Sequence, residues 1–240
     1  MPEHNAQTLN ISFNGFSSLS DMGNIERALL TISVLCSLTY LITADFQPFP
    51  GSVVIKAASI APFALIAFRA LRSSDGLLLG MSLLFSTLGD IFLGLRREDM
   101  FIYGLASFLV AHVLYVILFT KRFSRPLVTT SGQTLLLILL ALYSASFIIW
   151  LVPGLGNFML PVLAYVAVIT AMCATAILAR FSSSWVVIGA ILFLISDSMI
   201  GAGRFRTPVP LSNYLVWLTY YLAQFFITIG FLSSTRERSN

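Results

Sequence analysis

Long apolar segments alternate with short polar ones along most of the chain. Eight runs, each close to the ~20 residues that a helix needs to cross a ~30 Å hydrocarbon layer, can be read from the sequence. They cover residues 28–44, 52–70, 76–95, 100–119, 133–153, 157–178, 184–203 and 211–232. The first run is short and contains Thr31, Ser33 and Thr43, so a count of seven stays open. The pattern predicts an all-α, polytopic membrane helix bundle of about eight transmembrane helices.

The same pattern divides the chain into a flexible polar N-terminal tail (1–25), a single transmembrane domain (26–233) and a C-terminal tail (234–240). The longest polar break inside the domain, residues 121–133, separates four spans from four. When the third and seventh spans are aligned at their aspartates, a glycine follows four residues later and an arginine seven residues later in both. This favours two parallel four-helix repeats, with chance similarity between apolar segments as the open alternative.

Composition and charge narrow the class of protein. A hydrophobic fraction of 58%, a charged fraction of 10% and a mean hydropathy of +0.90 exclude an ordinary soluble domain. This composition predicts that the lipid bilayer surrounds the protein. The net charge of +4 comes from basic residues scattered over short loops, which form no stripe along a phosphate backbone, so we expect no nucleic-acid partner. The oligomeric state stays open.

The distribution of lysine and arginine predicts the orientation. The side that holds the N-terminus carries Arg27, Arg69, Arg72, Lys121, Arg122, Arg125, Arg180, Arg236 and Arg238. The opposite side carries Arg96, Arg97, Arg204 and Arg206. The positive-inside rule therefore places both termini in the cytoplasm. The alternative is that the four arginines, which follow the acid-bearing spans, serve function and distort the comparison.

Two acids lie inside predicted spans. Asp90 and Asp197 occur at similar depths, and an acid at a helix centre costs roughly 2.5–3.5 kcal/mol on insertion scales, so both are candidate site residues. Lys56 lies in a span that can bring it to the same layer, and His112 lies nearer the middle of the fourth span, which is entered from the same side. Further polar groups that can complete a site are Tyr165, Tyr220, Tyr221 and Gln224. The alternatives are a structural ion pair for the acids, an interfacial Lys56 and a core His112 bonded to a backbone carbonyl.

Several other chemistries lack their motifs. The sequence has no His/Cys/Glu cluster with zinc spacing, no glycine-rich phosphate loop before a helix and no G-x-S-x-G turn. We therefore predict no metal site.

Five segments resemble, in order and spacing, those of the YhhN-type lysoplasmalogenases, eight-helix membrane hydrolases of the vinyl ether bond of lysoplasmalogens. The segments are GDIFLGL, ASFLVAHVLYV, LPVLAYVAVITAM, GAILFLISDSMIGAGRF and TYYLAQFFIT. The resemblance implies a lysophospholipid substrate with a choline or ethanolamine head group. It implies a location in the endoplasmic reticulum membrane of a eukaryote or the inner membrane of a bacterium. It implies Asp90 and Asp197 as the catalytic pair, and as neighbours in the site Lys56, His112, Tyr165, Tyr221 and Gln224.

The expected chemistry suits two carboxyl groups. Protonation of the vinyl ether gives an oxocarbenium ion that water captures, so an acid and a base are needed and no cofactor is required. Two carboxylates in a pocket of low dielectric do not both ionise cheaply, so one is expected to hold the proton. Arg97 and Arg204, one or two turns beyond the acids, are expected to bind the lipid phosphate, with ordinary interfacial arginines as the alternative. The rival interpretation is a proton-coupled transporter or channel that uses the same acids.

Overall fold

The computed structural model describes residues 19, 22–124 and 126–236. Most of the predicted N-terminal tail and residues 237–240 of the predicted C-terminal tail lie outside the described residues. Within the described part, eight helices are long and apolar enough to cross a membrane, which confirms the predicted count and includes the first span. They are α1 (Asn24–Ile42), α2 (Ser52–Ala70), α3 (Ser74–Gly94), α4 (Glu98–Thr120), α5 (Ser131–Leu151), α6 (Met159–Leu178), α7 (Trp185–Phe205) and α8 (Ser212–Arg236).

Side chains near the predicted polar breaks cap two of these helices. The Ser73 hydroxyl accepts a hydrogen bond from Gly76 N at the start of α3. At the start of α5, Thr130 and Gln133 form a reciprocal capping box, with bonds of 3.0 and 3.2 Å. The Gln133 amide also donates to the carbonyl of Ile177, 2.7 Å away, and so joins the start of α5 to the end of α6.

The helices pack as two related halves, α1–α4 and α5–α8. In each half, every helix contacts the next one along the chain. Between the halves, α4 packs on α6 and α8 packs on α2. Exchanging the halves turns the first of these contacts into the second, which is the relation that the predicted parallel repeat requires.

Glycines allow the closest approaches within each half. A Cβ atom on Gly89 of α3 would lie 2.5 Å from the ring of Phe108 on α4. A Cβ atom on Gly189 of α7 would lie 2.8 Å from the carbonyl oxygen of Ala223 on α8. Both distances are too short for a side chain, so these two helix pairs depend on glycine to pack this tightly. The helix that carries Asp90 and the helix that carries Asp197 are therefore each held against the next helix in the chain.

The helices differ in how much of their surface is covered. In the most apolar stretch of α8, 61% of the residues are buried, against 11% for α1 and for α5. Outward apolar side chains such as Leu142 and Ile149 on α5 are 60% and 75% exposed, as expected for a surface that faces lipid tails. α8 is therefore central to the bundle, and α5 is a peripheral wall.

Candidate active site

Asp90 lies on α3 immediately after the glycine that contacts α4. Its side chain is 1% exposed, and it has two close polar partners. Lys56 Nζ on α2 lies 3.0 Å from Oδ1, and the Tyr220 hydroxyl on α8 donates to Oδ2 over 2.6 Å. A buried carboxylate is stable only with such a cation and such donors, so this arrangement favours an ionised Asp90.

Aromatic rings surround the ammonium group of Lys56. The group lies 6.0 Å from the centre of the Tyr40 ring and 5.8 Å from the centre of the Trp217 ring. Cation–π attraction contributes at these distances, and more strongly where water is excluded. The Lys56 side chain is 14% exposed, so it does not extend into open water at the interface.

Asp197, on α7, has a different set of neighbours. The Tyr165 hydroxyl on α6 donates a hydrogen bond to Oδ2. His112 Nε2 on α4 lies 3.8 Å from the same oxygen, which is beyond hydrogen-bond distance. Among the described residues, no lysine or arginine lies within ion-pair distance of this carboxyl group. Asp90 has a cation as its partner and Asp197 has a phenol.

His112 is completely buried beside Asp197. Its ring packs edge-on against Phe193 and Tyr165, with centroids 4.6 and 5.3 Å apart. Neither ring nitrogen has a hydrogen-bond partner among the residues that the structure describes. The predicted alternative, a core histidine bonded to a backbone carbonyl, is therefore not what the structure contains.

Gln224 reaches Asp90 through another side chain. Its Oε1 accepts a hydrogen bond of 2.8 Å from Tyr115, and its Nε2 donates to the Tyr220 hydroxyl over 3.4 Å. Tyr220 in turn donates to Asp90. The Gln224 amide therefore positions Tyr220, which contacts Asp90 directly.

The partners of the two acids follow the two halves of the chain. Each acid, on the third helix of its half, contacts one side chain from the second helix of the same half: Lys56 for Asp90 and Tyr165 for Asp197. Each is also approached by a side chain from the fourth helix of the other half: Tyr220 for Asp90 and His112 for Asp197. The backbone arrangement is repeated while the chemistry of the partners is not.

Both acids line one polar cavity of about 390 Å³. This volume falls within the ~300–1,000 Å³ typical of small-molecule sites. Lys56 and Tyr220 also line it, as does Arg96 just after the end of α3. The lining also includes residues between the end of α7 and the start of α8: Pro208, Val209, Ser212 and Asn213. The cavity therefore extends from the acids towards the membrane face opposite the end of α8.

Arg96 contributes to this cavity, whereas Arg97 and Arg204 are not among its lining residues. α3 ends at Gly94, so Arg97 is no longer on the helix face of Asp90 and pairs with the exposed Asp99 at 2.8 Å. α7 continues to Phe205, and the guanidinium of Arg204 lies 5.0 Å from the ring centre of Phe101. Arg97 and Arg204 are therefore not in equivalent positions, because α3 ends before Arg97 whereas α7 includes Arg204.

Arg96 is a site residue that the sequence did not single out. Its backbone is in the left-handed region, φ 52°, directly after the end of α3. Its Nη1 and Nη2 donate to the carbonyl and side-chain oxygens of Gln47 at 3.1 and 3.2 Å. A non-glycine residue in this region costs about 1–2 kcal/mol, and no local sequence signal distinguishes Arg96 from Arg97.

The structure also distinguishes the two adjacent tyrosines of α8. Tyr220 contacts Asp90, whereas the Tyr221 hydroxyl lies 3.0 Å from the hydroxyl of Ser33 on α1. A spacing of four residues places Tyr220 on the same helix face as Gln224, and this spacing is the sequence feature that could have identified Tyr220 as the partner of the acid.

Within the described part of the chain, no group of three or more His, Cys, Asp or Glu side chains is arranged to hold a metal ion.

Comparisons with known proteins give a consistent set of relatives. The chain is 35% identical over 155 residues to a lysoplasmalogenase of Mycobacterium bovis, covering 62% of this chain and 58% of that protein. It is 36% identical over 163 residues to lysoplasmalogenase TMEM86A of Bos taurus, covering 64% of this chain and 65% of that protein. The chain thus spans less than two thirds of these two relatives.

A third relative is matched over more of its length. The chain is 32% identical over 212 residues to lysoplasmalogenase TMEM86B of Rattus norvegicus, covering 88% of this chain and 86% of that protein. No solved structure gives a significant match. The YhhN family model matches residues 51–231, which include Lys56, Asp90 and Asp197. This match covers well over half of the 240 residues, and the chain therefore belongs to the YhhN family.

Proposed function

We propose that this membrane protein is a lysoplasmalogenase that cleaves the vinyl ether bond of a lysoplasmalogen. The relatives that carry this name support the reaction class. The observation that carries the proposal is the chemical difference between two buried aspartates on one cavity. Acid-catalysed cleavage of a vinyl ether needs a group that donates a proton, and a nearby carboxylate stabilises the cation that forms; two carboxyl groups in different charge states supply both.

The partners of the acids support a different role for each. Lys56 and Tyr220 stabilise a negative charge on Asp90, which makes Asp90 the carboxylate. Asp197 has no lysine or arginine at ion-pair distance among the described residues, and a second negative charge on the cavity that Asp90 lines would be costly in this environment. Asp197 is therefore the proton donor. Because its Oδ2 accepts the Tyr165 hydroxyl, the acidic proton belongs on Oδ1.

The reaction then proceeds without a cofactor. Asp197 transfers its proton to the β-carbon of the vinyl ether, and the double bond becomes an oxocarbenium ion next to the Asp90 carboxylate. Water adds to the cationic carbon and loses a proton to the Asp197 carboxylate, which restores the acid and gives a hemiacetal. The hemiacetal then collapses: its hydroxyl group loses a proton, the carbon–oxygen bond to glycerol breaks and the glycerol oxygen takes up a proton, giving the aldehyde and the glycerophospho-alcohol. One water is consumed, and the proton from Asp197 is returned. Glycosidases use a similar carboxyl pair for a similar cation.

Arg96 is the proposed contact for the lipid phosphate. It lines the same cavity as the acids, and Gln47 fixes the direction of its guanidinium group. A guanidinium has five N–H donors, so the two bonds to Gln47 leave donors that a phosphate can use. This assigns to Arg96 the role that the sequence had predicted for Arg97 and Arg204.

The proposed orientation is the one that the loop charges favour, with both termini in the cytoplasm. The cavity then opens on the opposite face, towards the lumen in a eukaryotic endoplasmic reticulum or the periplasm in a bacterial inner membrane.

The test is aldehyde release by purified protein in detergent or nanodiscs. A lysoplasmalogen should give a fatty aldehyde, and the matched lysolipid with a saturated ether should bind without cleavage, because it has no double bond to protonate. Equal cleavage of both lipids, or no aldehyde from any vinyl ether lipid, would contradict the proposal. Proton-linked solute flux in liposomes, together with an absence of aldehyde, would identify the transporter instead.

A further inference from the structure

Asp197 also borders two small, mainly apolar cavities that Lys56 does not line. One has a volume of about 50 Å³ and extends past Gly201 towards Phe205. The other, of about 20 Å³, extends along α7 in the opposite direction to Leu194. Phe147, Tyr165, Val166 and Asp197 line both. The carboxyl group of Asp197 thus lies where a polar cavity and an apolar space meet.

The outer wall of this apolar space is α5, which is mostly exposed to the membrane. Phe147 of α5 faces Gly201 of α7, where a Cβ atom would lie 3.6 Å from the phenyl ring. The ring of Phe147 stacks parallel on Tyr143, with centroids 6.0 Å apart and an interplanar angle of 2°. Leu151 of α5 lies 3.8 Å from the same Cβ position, so Phe147 and Leu151 together close the gap between α5 and α7 against a glycine, one helical turn beyond Asp197.

The geometry points to a path for the alkenyl chain of the substrate between α5 and α7. We propose that the chain reaches Asp197 from the bilayer through this gap, and that Phe147 and Gly201 set which chains are accepted. The inference rests on the proposed function. An amphiphile whose reacting bond joins its polar and apolar parts matches a carboxyl group that borders a polar cavity on one side and apolar space on the other.

The volume of the apolar space limits how much of the chain it encloses. About 50 Å³ holds roughly four water-sized groups at about 10–15 Å³ each. Only the first few carbons beyond the vinyl group fit inside the bundle, and the rest of the chain lies against the lipid-facing surface of α5 and α7. The enzyme should therefore be sensitive to bulk next to the reacting bond and tolerant of differences at the far end of the chain.

The test compares two substrates in the full-length protein. One is a hexadecenyl glycerophosphocholine, and the other is its vinyl analogue, which has the reacting bond and no chain. Gly201→Leu fills the apolar space, so the ratio of kcat/KM for the long-chain substrate to that for the vinyl analogue should fall about tenfold or more. Phe147→Trp enlarges the closing ring without changing α7 and should lower the same ratio. It keeps the test available if Gly201→Leu does not fold.

The control is Gly203→Leu, two residues further along α7. Gly203 lines the polar cavity and has no neighbouring atom within 4 Å of an added Cβ. Its replacement should leave the substrate ratio unchanged, whatever its effect on the absolute rates. An unchanged ratio in both the Gly201 and Phe147 variants, or an equal change in the Gly203 variant, would overturn the chain path. A wild-type protein that releases no aldehyde from either lipid would instead refute the proposed function.

Discussion

The ammonium group of Lys56 lies 3.0 Å from a carboxylate oxygen of Asp90, and both side chains are largely withdrawn from water. Such a pair contributes less to stability than its distance suggests, because both charges have lost their hydration. Removing one partner is much more costly than removing both, because the remaining charge stays buried. The pair therefore links the folding of the bundle to the charge state of the proposed site.

We expect Lys56→Gln to lower the free energy of unfolding by about 3–5 kcal/mol, because it leaves Asp90 without its cation. The double variant Lys56→Gln/Asp90→Asn should regain much of this loss. Thermal unfolding of the four proteins in one detergent measures the coupling between the two sites. Arg69→Gln is the matched control: it breaks a 3.0 Å pair with Glu26 in which Arg69 is 49% exposed, and it should cost at most about 1 kcal/mol. Equal losses in the single and double variants would contradict the buried pair.

The two aspartates should differ in stability when each is replaced by asparagine. Both Asp90→Asn and Asp197→Asn should lower kcat by about 10²–10⁴, because an amide neither supplies nor accepts the proton. Asp90→Asn also leaves Lys56 unpaired, so its melting temperature should fall. Asp197→Asn replaces a neutral group by a neutral group of similar size, so its melting temperature should stay near that of the wild type. The measurements are aldehyde release and thermal unfolding, and a reversed order of stability would exchange the roles of the two acids.

The helices and the buried charges could be predicted from the sequence because both depend on which residue types occur in each segment of the chain. Apolar runs of membrane length predict spans, and Asp90, Asp197 and Lys56 stand out because charges are rare in such runs. Their placement on different helices that converge depends on packing, to which Gly89 and Gly189 contribute. The two acids occupy related positions in the two halves, as the predicted repeat requires.

The unlike partners of the acids could not be predicted in the same way. The choice between Arg96 and Arg97 depends on a single left-handed residue at the end of α3. The choice between Tyr220 and Tyr221 depends on the rotation of α8, which the spacing to Gln224 indicates only after Gln224 is placed. Lys56 and Tyr165 reach the acids from the second helix of the same half. Tyr220 and His112 reach them from the other half, and residue spacing within one half contains no information about those contacts.

Replacing Arg96 and replacing Arg97 should affect head-group binding differently. Arg96→Gln should raise KM for the lysolipid by about tenfold while kcat changes little, because the phosphate is remote from the reacting bond and is held equally in ground and transition states. Arg97→Gln should leave both constants within about twofold of the wild type, because Arg97 pairs with the exposed Asp99 outside the cavity lining. Steady-state kinetics over a range of lysolipid concentrations makes the comparison. A raised KM in the Arg97 variant alone would return the phosphate site to the position first predicted.

His112 provides the last test, because its burial is costly and its packing does not require a histidine. Its ring nitrogens have no hydrogen-bond partner among the described residues, and leaving a buried polar group unsatisfied costs about 1–3 kcal/mol. Phenylalanine keeps the edge-on contacts with Phe193 and Tyr165 and removes both nitrogens. His112→Phe should therefore unfold at the same or a higher temperature than the wild type.

Its activity should change in the opposite direction. Nε2 lies 3.8 Å from Asp197 Oδ2, a separation at which a substrate atom or a water can bridge the two groups during the reaction. We expect kcat to fall by at least about tenfold with little change in KM, because the nitrogen acts beside the proton donor and away from the head group. Melting temperature and steady-state kinetics on the same preparation decide the case. A His112→Phe protein with wild-type kcat would make the histidine a packing residue, whereas a more stable and slower protein would show that its burial serves the reaction.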